Sequence, residues 1–383
     1  MRVFIYMSVP EFAADFAAIV SRSPLAPDRP LRWTLIANPY AGGFTIASRW
    51  KRHRKTLKAH ATEALKRPPR PAGAEPSRTA RESEPGERSL GALGLIPTQR
   101  PKHAGELVRL LLEEAAQEAA TATKGTVLPL HLLVTAGGDG TSHEALSALF
   151  VAQEELRSRF VVLRLPMGTG NDGADARELS ATLDLISKPS RIDLMPAVRL
   201  STSTPGKGPF LAFNILSVGL DAYVTHKTNQ MKGKLPGDSY RLWVDIATLF
   251  YDRIYEVAPM KVEALDATGA VIRSFRQEIL LAAFGVSGNR CYGANKPILP
   301  DERNVCVIPQ MSLFKKIALK PKITSGHHAK LAEIMLFSTH KLVLDYDKPI
   351  LSQTDGEVVA LDPCDFPITM ELTEKGLPVL RAL

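Results

Sequence analysis

"HLLVTAGGDGTSHEAL", residues 131–146, decides the reading of this chain. An apolar run of strand type ends in two glycines, an aspartate, a third glycine and a threonine, and helix-forming residues follow at once. Glycines let backbone N–H groups approach an anion with no Cβ in the way, and a helix N-terminus adds a favourable dipole. Asp139, set inside the same turn, repels that anion. A metal ion between the carboxylate and a phosphate removes the conflict.

Two more turns of the same kind lie on either side. "NPYAGG" (38–43) ends the apolar run "LRWTLIANP" (31–39), and "PMGTGND" (166–172) follows "RFVVLRLP" (159–166). Apolar residues at helical spacing mark 104–120, 142–153 and 177–187 as helices. Strand–turn–helix repetition predicts an α/β domain with a parallel sheet and ligand groups at the carboxyl ends of its strands. Thr141, Thr169 and Asn171 add side-chain hydrogen bonds at the turns. One bare glycine turn is usually structural, whereas three in this order on alternating elements indicate a site. Neither GxxxxGK[ST] nor GxGxxG is present, so this is neither a Walker loop nor a dinucleotide fingerprint.

After about residue 194 the texture changes to strand-like runs joined by turn residues. Examples are "PFLAFNILSVGL", "NVCVIPQM" and "KLVLDYDKPILSQTDGEVVAL", with helix expected only over 239–252 and 326–337. This half predicts a mainly antiparallel β-sandwich. The expected domains are 28–193 (α/β, nucleotide-binding), 194–360 (β-sandwich, acceptor) and 361–383, which returns to the first.

The net charge of +8 is concentrated: residues 49–103 hold 14 Lys/Arg against 5 Asp/Glu. Residues 66–94, rich in Pro, Gly, Ser, Arg and Glu, predict an exposed, mobile insertion extending over about 66–96. The segment 49–67 has one strongly basic helical face, suited to peripheral contact with an anionic membrane, although a plain surface helix is the commoner outcome. No aromatic interleaving supports a nucleic-acid partner. Three scattered cysteines without CxxC spacing argue for a reducing compartment. No apolar run approaches the roughly 18 residues of a membrane span, and Pro10, Glu11 and Asp15 spoil a signal peptide. The expected location is cytoplasmic, with peripheral contact at the inner membrane face; oligomeric state is left open.

With "NPYAGG", Thr98, "GGDGTSHEAL", "PMGTGND", "RIDL" (191–194), "SVGLDAYV" (217–224), "GANKPILP" (293–300), "GHH" (326–328) and "DGE" (355–357) in view, the chain resembles a known family. It is similar to bacterial lipid kinases related to diacylglycerol kinase, and to the eukaryotic diacylglycerol, sphingosine and ceramide kinases. NAD kinases share GGDGT more distantly. The resemblance implies an ATP- and Mg²⁺-dependent kinase for a lipid alcohol, of diacylglycerol type, with its active site in an interdomain cleft. It implies that Asn38, Pro39, Gly42, Thr98, Gly137, Gly138, Asp139, Gly140, Thr141, His143 and Thr169, with Asn171 at the third turn, line the ATP site. Asp139, Asp172 and Asp193 would organise Mg²⁺, with Asp301 as the counterpart of a second-domain metal ligand. Asp355 and Glu357 would take the proton of the acceptor hydroxyl, although the local sequence alone reads as an Asp-Gly hairpin.

Three features depart from the family pattern: Gly173 and Ala174 where an aromatic residue and alanine usually follow GTGND, "LPDERNVCV" around Asp301, and the insertion. Alternatives are an NAD kinase, or a catalytically silent nucleotide- or lipid-binding regulator. A zinc protease is excluded because His143–Glu144 is followed by Ser147 where HExxH needs a second histidine. His327 and His328 read as capping or surface residues.

Overall fold

The computed structural model describes residues 2–81, 91–168, 170–231, 251–293 and 296–383. The chain forms two compact units, residues 1–195 with 376–383, and residues 196–375.

Unit 1 holds strands β1 (Leu31–Ala37), β2 (Ala74–Pro76), β3 (Leu95–Pro97), β4 (Leu130–Gly137) and β5 (Phe160–Pro166). Its longer helices are α1 (Arg2–Val20), α2 (Ala47–Leu65), α3 (His103–Thr121), α4 (Asp139–Phe150) and α5 (Leu179–Ser187). β4 pairs in parallel with β1 and β5, and all eight of its residues are buried. A continuous apolar run is what a central parallel strand needs, since helices cover both faces.

Helix α1 is absent from the sequence-based expectation because Pro10 interrupts it. Packing overrides that penalty. Phe12, Phe16, Ile19 and Val20 are fully buried, each worth about 1.5–3 kcal/mol against about 3 kcal/mol for an interior proline. Phe12 meets Phe44 edge-on at 5.4 Å and lies 6.5 Å from Trp50.

The expectation of an exposed, mobile insertion needs correction at its start. Arg70 is only 6% exposed, and its guanidinium donates to the carbonyls of Ser23, Leu25, Ala26 and Arg29. β2 pairs in parallel with β1, and the buried Glu114 caps residues 78 and 79 by accepting their N–H groups at 2.7 and 2.8 Å. Buried carbonyls need donors, and Arg70 supplies several from one side chain. Residues 82–90 of the insertion lie outside the described residues.

The chain passes along β6 (Ser190–Ser201) into unit 2. There follow β7 (Phe210–Ala212), β8 (Ile215–Gly219), β9 (Pro259–Leu265), β10 (Val271–Gly285), β11 (Arg290–Tyr292), β12 (Lys296–Leu299), β13 (Val305–Pro309) and β14 (Met335–Phe337). β15 (Lys341–Asp345), β16 (Ile350–Thr354), β17 (Glu357–Leu361) and β18 (Ile368–Ala382) complete the strands. Pairing within the unit is antiparallel. The 15-residue β10 pairs with β9 along its first half and with β8 and β13 along its second, so one strand serves two sheets.

Helices here are α6 (Leu220–Met231) and α7 (Leu313–Thr324). The helix expected over 326–337 is displaced. Ser312 caps α7 by accepting the Lys315 N–H, and Gly326 at φ +79° ends the helical path. A 3₁₀ turn His327–Lys330 and strand β14 occupy the expected span instead. Of the other expected helix, residues 251–254 form one helical turn and 239–250 lie outside the described residues.

Candidate active site

β1, β4 and β5 end level with one another: Ala37 pairs with Ala136, and Gly137 with Pro166. The three glycine turns therefore emerge side by side at one end of the sheet. Two glycines are required by contact within the protein. A Cβ on Gly168 would sit 2.5 Å from the Gly138 Cα, and one on Gly43 would sit 2.8 Å from the Met167 carbonyl oxygen. Gly140 has open space where a Cβ would stand, and Gly138 has its nearest neighbour at 3.8 Å. These two leave backbone accessible to a ligand at the start of α4, where the first N–H groups have no partner in the helix.

Asp139 opens α4. Its Oδ1 accepts the Gly173 N–H at 2.9 Å. Its Oδ2 lies 2.9 Å from the Cβ position of Gly170, and the Asp172 Oδ2 lies 3.2 Å from that same position. Two carboxylates thus converge on a glycine that leaves room between them. Hard cations such as Mg²⁺ use one or two protein carboxylates, with water and phosphate completing the shell. The donor set fits Mg²⁺. Asp193 stands apart, paired with Arg191 at 3.1 Å. Asp301, in unit 2, is held by Arg303, whose hydrogen bonds lower its pKa against the effect of burial. Among the described residues no group of three or more His, Cys, Asp or Glu is placed to hold a metal, so the structure gathers Asp139 and Asp172 but not the fuller aspartate set.

The remaining expected nucleotide residues cluster unevenly. Asn38 donates its N–H to the Ala136 carbonyl (2.9 Å) and accepts the Tyr40 N–H on Oδ1 (3.0 Å). Pro39 and Gly42 are half-buried beside it, and the Thr98 N–H donates to the Ala37 carbonyl at 2.7 Å. The Thr141 side chain packs over Gly137, and His143 is half-buried on the first turn of α4. Asn171, at φ +61°, closes its own turn, accepting the Gly168 N–H (2.6 Å) and donating to the Pro166 carbonyl (3.1 Å). Thr169 lies outside the described residues.

Sequence reasoning missed two arginines. Arg49 donates from Nη1 to the Gly168 carbonyl at 3.2 Å, which brings a cation to the third turn. Arg164, 2% exposed, is paired with the fully buried Asp175 carboxylate at 2.8 Å, and its Nη1 lies 3.7 Å from the Cβ position of Gly173. A single arginine inside the apolar run "VVLRLP" was the available signal. The buried pair lies under the turn where the family usually has an aromatic residue.

In unit 2, Asp355 (φ +51°) and Gly356 (φ +99°) make a two-residue hairpin turn between β16 and β17, with Thr354 opposite Glu357. Asp355 turns inward. Its carboxylate accepts the N–H groups of Phe213, Asn214 and Ile215, the last two at 3.0 Å. The Glu357 side chain is exposed. The turn is tied down again by Gln353, which accepts the Gly356 N–H at 2.8 Å and donates to Ser217 Oγ (2.9 Å) and Asp221 Oδ2 (3.0 Å). The motifs "SVGLDAYV" and "DGE" therefore share one buried polar network. His327 is exposed, but His328 is fully buried beside the Ile298 carbonyl (3.0 Å), correcting the expectation of a surface residue; burial lowers its pKa.

The same unit contains an open apolar pocket of about 960 Å³, mouth included, walled by Leu220, Leu281, Ile298, Ile308, Met311 and Ile323. Lys296, Lys316 and Lys320 add charge to its lining. The space it encloses, apart from the open mouth, is about 140 Å³.

Residues 32–195 match the diacylglycerol kinase catalytic domain. The chain is 24% identical over 239 residues to a protein named "Probable lipid kinase YegS-like" from Xanthomonas oryzae pv. oryzae (strain MAFF 311018), covering 60% of this chain and 72% of that one. Two solved structures from Bacillus anthracis str. Sterne share the fold over 92% of this chain and 96% of theirs. One superposes with a TM-score of 0.52 at 18% identity. The other, titled a diacylglycerol kinase, gives 0.50 at 15%. Residues 32–195 thus carry the match to the diacylglycerol kinase catalytic domain, and the chain is similar to bacterial lipid kinases of that family.

Proposed function

We propose that this protein transfers the γ-phosphoryl group of ATP to the hydroxyl of a lipid alcohol, diacylglycerol or a close relative. The observation that carries the reading is the convergence of Asp139 and Asp172 beside accessible backbone at Gly138 and Gly140. The α4 N-terminus and the open glycine backbone would receive phosphate oxygens. Asp139 and Asp172 would hold Mg²⁺, which would offset the charge that moves during transfer.

Glu357 is the proposed base. Asp355, engaged by three backbone amides, is better suited to fixing the turn. The lipid oxygen forms a bond to the γ-phosphorus while the bond from that phosphorus to the β–γ bridging oxygen breaks. The hydroxyl proton passes to the Glu357 carboxylate and ADP leaves. The apolar pocket of unit 2 would receive acyl chain. Among the described residues no helix is long and apolar enough to cross a membrane, so the lipid must be reached at a surface or taken from one.

Purified protein with labelled ATP, Mg²⁺ and a panel of diacylglycerol, sphingoid base, ceramide, phosphatidylglycerol and NAD tests this directly. Label on a lipid, abolished by Asp139→Asn, is the expected result. Label on NAD alone would overturn the proposal in favour of an NAD kinase. Intact ATP binding with no acceptor labelled would favour a regulator.

A further inference from the structure

Helix α7 presents its apolar side chains the wrong way for a soluble protein. Phe314 is 84% exposed, the highest value for a large hydrophobic residue among the described residues, and Ile317 is 50% exposed. With Ala318 and Pro321, also exposed, they fall at helical spacing and form one outward apolar stripe. Lys315 and Lys322, both exposed, flank the stripe on one side, and the helix contains no acidic residue. Lys315 also meets Glu333 at 3.1 Å. The inner side of the helix is already committed: Lys316, Lys320 and Ile323 line the apolar pocket, and Lys316 pairs with Asp252 at 3.0 Å.

We propose that α7 docks this protein on an anionic membrane surface, with Phe314 and Ile317 entering the headgroup boundary and the flanking lysines meeting lipid phosphates. An outward apolar stripe edged with cations matches an interfacial helix, whose affinity sums buried apolar area and attraction to anionic lipid. A second copy of the chain fits less well, since an isologous contact would set lysines against lysines. Because the inner side of α7 walls the pocket, docking would bring that pocket to the lipid surface; this last step rests on the lipid-kinase reading, whereas the docking itself does not.

The experiment is flotation of the full chain with vesicles of phosphatidylglycerol in phosphatidylcholine, compared with phosphatidylcholine alone. Phe314→Ser with Ile317→Ser, and separately Lys315→Gln with Lys322→Gln, should each lower the partition coefficient about tenfold or more. Wild-type binding should weaken with salt. Phosphorylation of a short-chain diacylglycerol below its micelle concentration should be unchanged, since these four side chains face away from the pocket. Vesicle binding equal to wild type in both variants overturns the proposal, as does loss of self-association in place of vesicle binding. If binding depends on α7 but no lipid is phosphorylated, docking stands and the kinase reading falls. If short-chain lipid is phosphorylated while both variants still float, the reverse holds.

Discussion

Asp355→Ala and Glu357→Gln should fail in opposite ways, although the residues are two positions apart. Asp355 accepts three backbone N–H groups from residues 213–215, of which Phe213 and Ile215 are 1% exposed. Hydrogen bonds to a charged group contribute about 1.5–3 kcal/mol each, and orphaned buried donors lose their full desolvation cost. Non-additivity and water entering this half-buried turn reduce the sum, which leaves about 3–5 kcal/mol for Asp355→Ala. For a unit of this size that is a fall in Tm of about 6–20 °C. Glu357→Gln, on an exposed side chain, should change stability by less than about 0.5 kcal/mol while lowering kcat by about 10²-fold or more. Thermal denaturation followed by circular dichroism gives the first number, and the lipid phosphorylation assay gives the second. Wild-type stability in Asp355→Ala would refute the structural role assigned to its amide shell. Near-normal turnover in Glu357→Gln would place the base elsewhere.

Other outcomes follow from single contacts. Gly168→Ala puts a Cβ 2.5 Å from the Gly138 Cα; separating the two turns should cost about 1–3 kcal/mol and weaken ATP binding measured by titration calorimetry. Burial would raise the pKa of Glu118, but hydrogen bonds and charges from His131 and Arg32 outweigh it and bring it to about 2 from an ordinary 4.5. With the folded value below the unfolded one, its stabilisation is complete above about pH 5 and is lost as pH falls toward 2. Glu118→Gln should therefore cost about 2 kcal/mol at neutral pH, after discounting for partial exposure, and nothing in strong acid, read by denaturation across pH. Cys364 is exposed, Cys291 is buried, and burial pushes the Cys306 thiol to about 12. A thiol reagent should modify one of the three cysteines quickly in the native protein and all three only after unfolding.

Local features of the site were legible because strand, glycine turn and helix are contiguous in sequence, as in 131–146. The antiparallel half was legible from its alternating runs. What escaped depends on distant partners. The amide shell of Asp355 comes from residues 213–215, far upstream, so "DGE" alone could not tell an anchored carboxylate from an exposed one. Arg70 looked like one more charge in a solvated insertion, because the four carbonyls it satisfies belong to residues 23–29. Helix α1 was hidden by Pro10, since local propensity says nothing of the aromatic cluster it completes. The Asp139–Asp172 pair was anticipated as part of a larger set, but Asp193 and Asp301 each have an arginine two residues away in sequence, which holds them locally.

Unit 1 is finished by residues that follow the whole of unit 2 in the chain. Leu377, Val379 and Leu380 are fully buried, and Val379 pairs with Val162 of β5. Until they arrive, β5 is an unpaired apolar edge of the kind that recruits other chains. At about 5–20 residues per second, translating 196–375 leaves that edge open for roughly 10–40 s. Unit 1 must wait in an incomplete state through the synthesis of unit 2, and chaperone depletion should harm this protein during translation more than after its release.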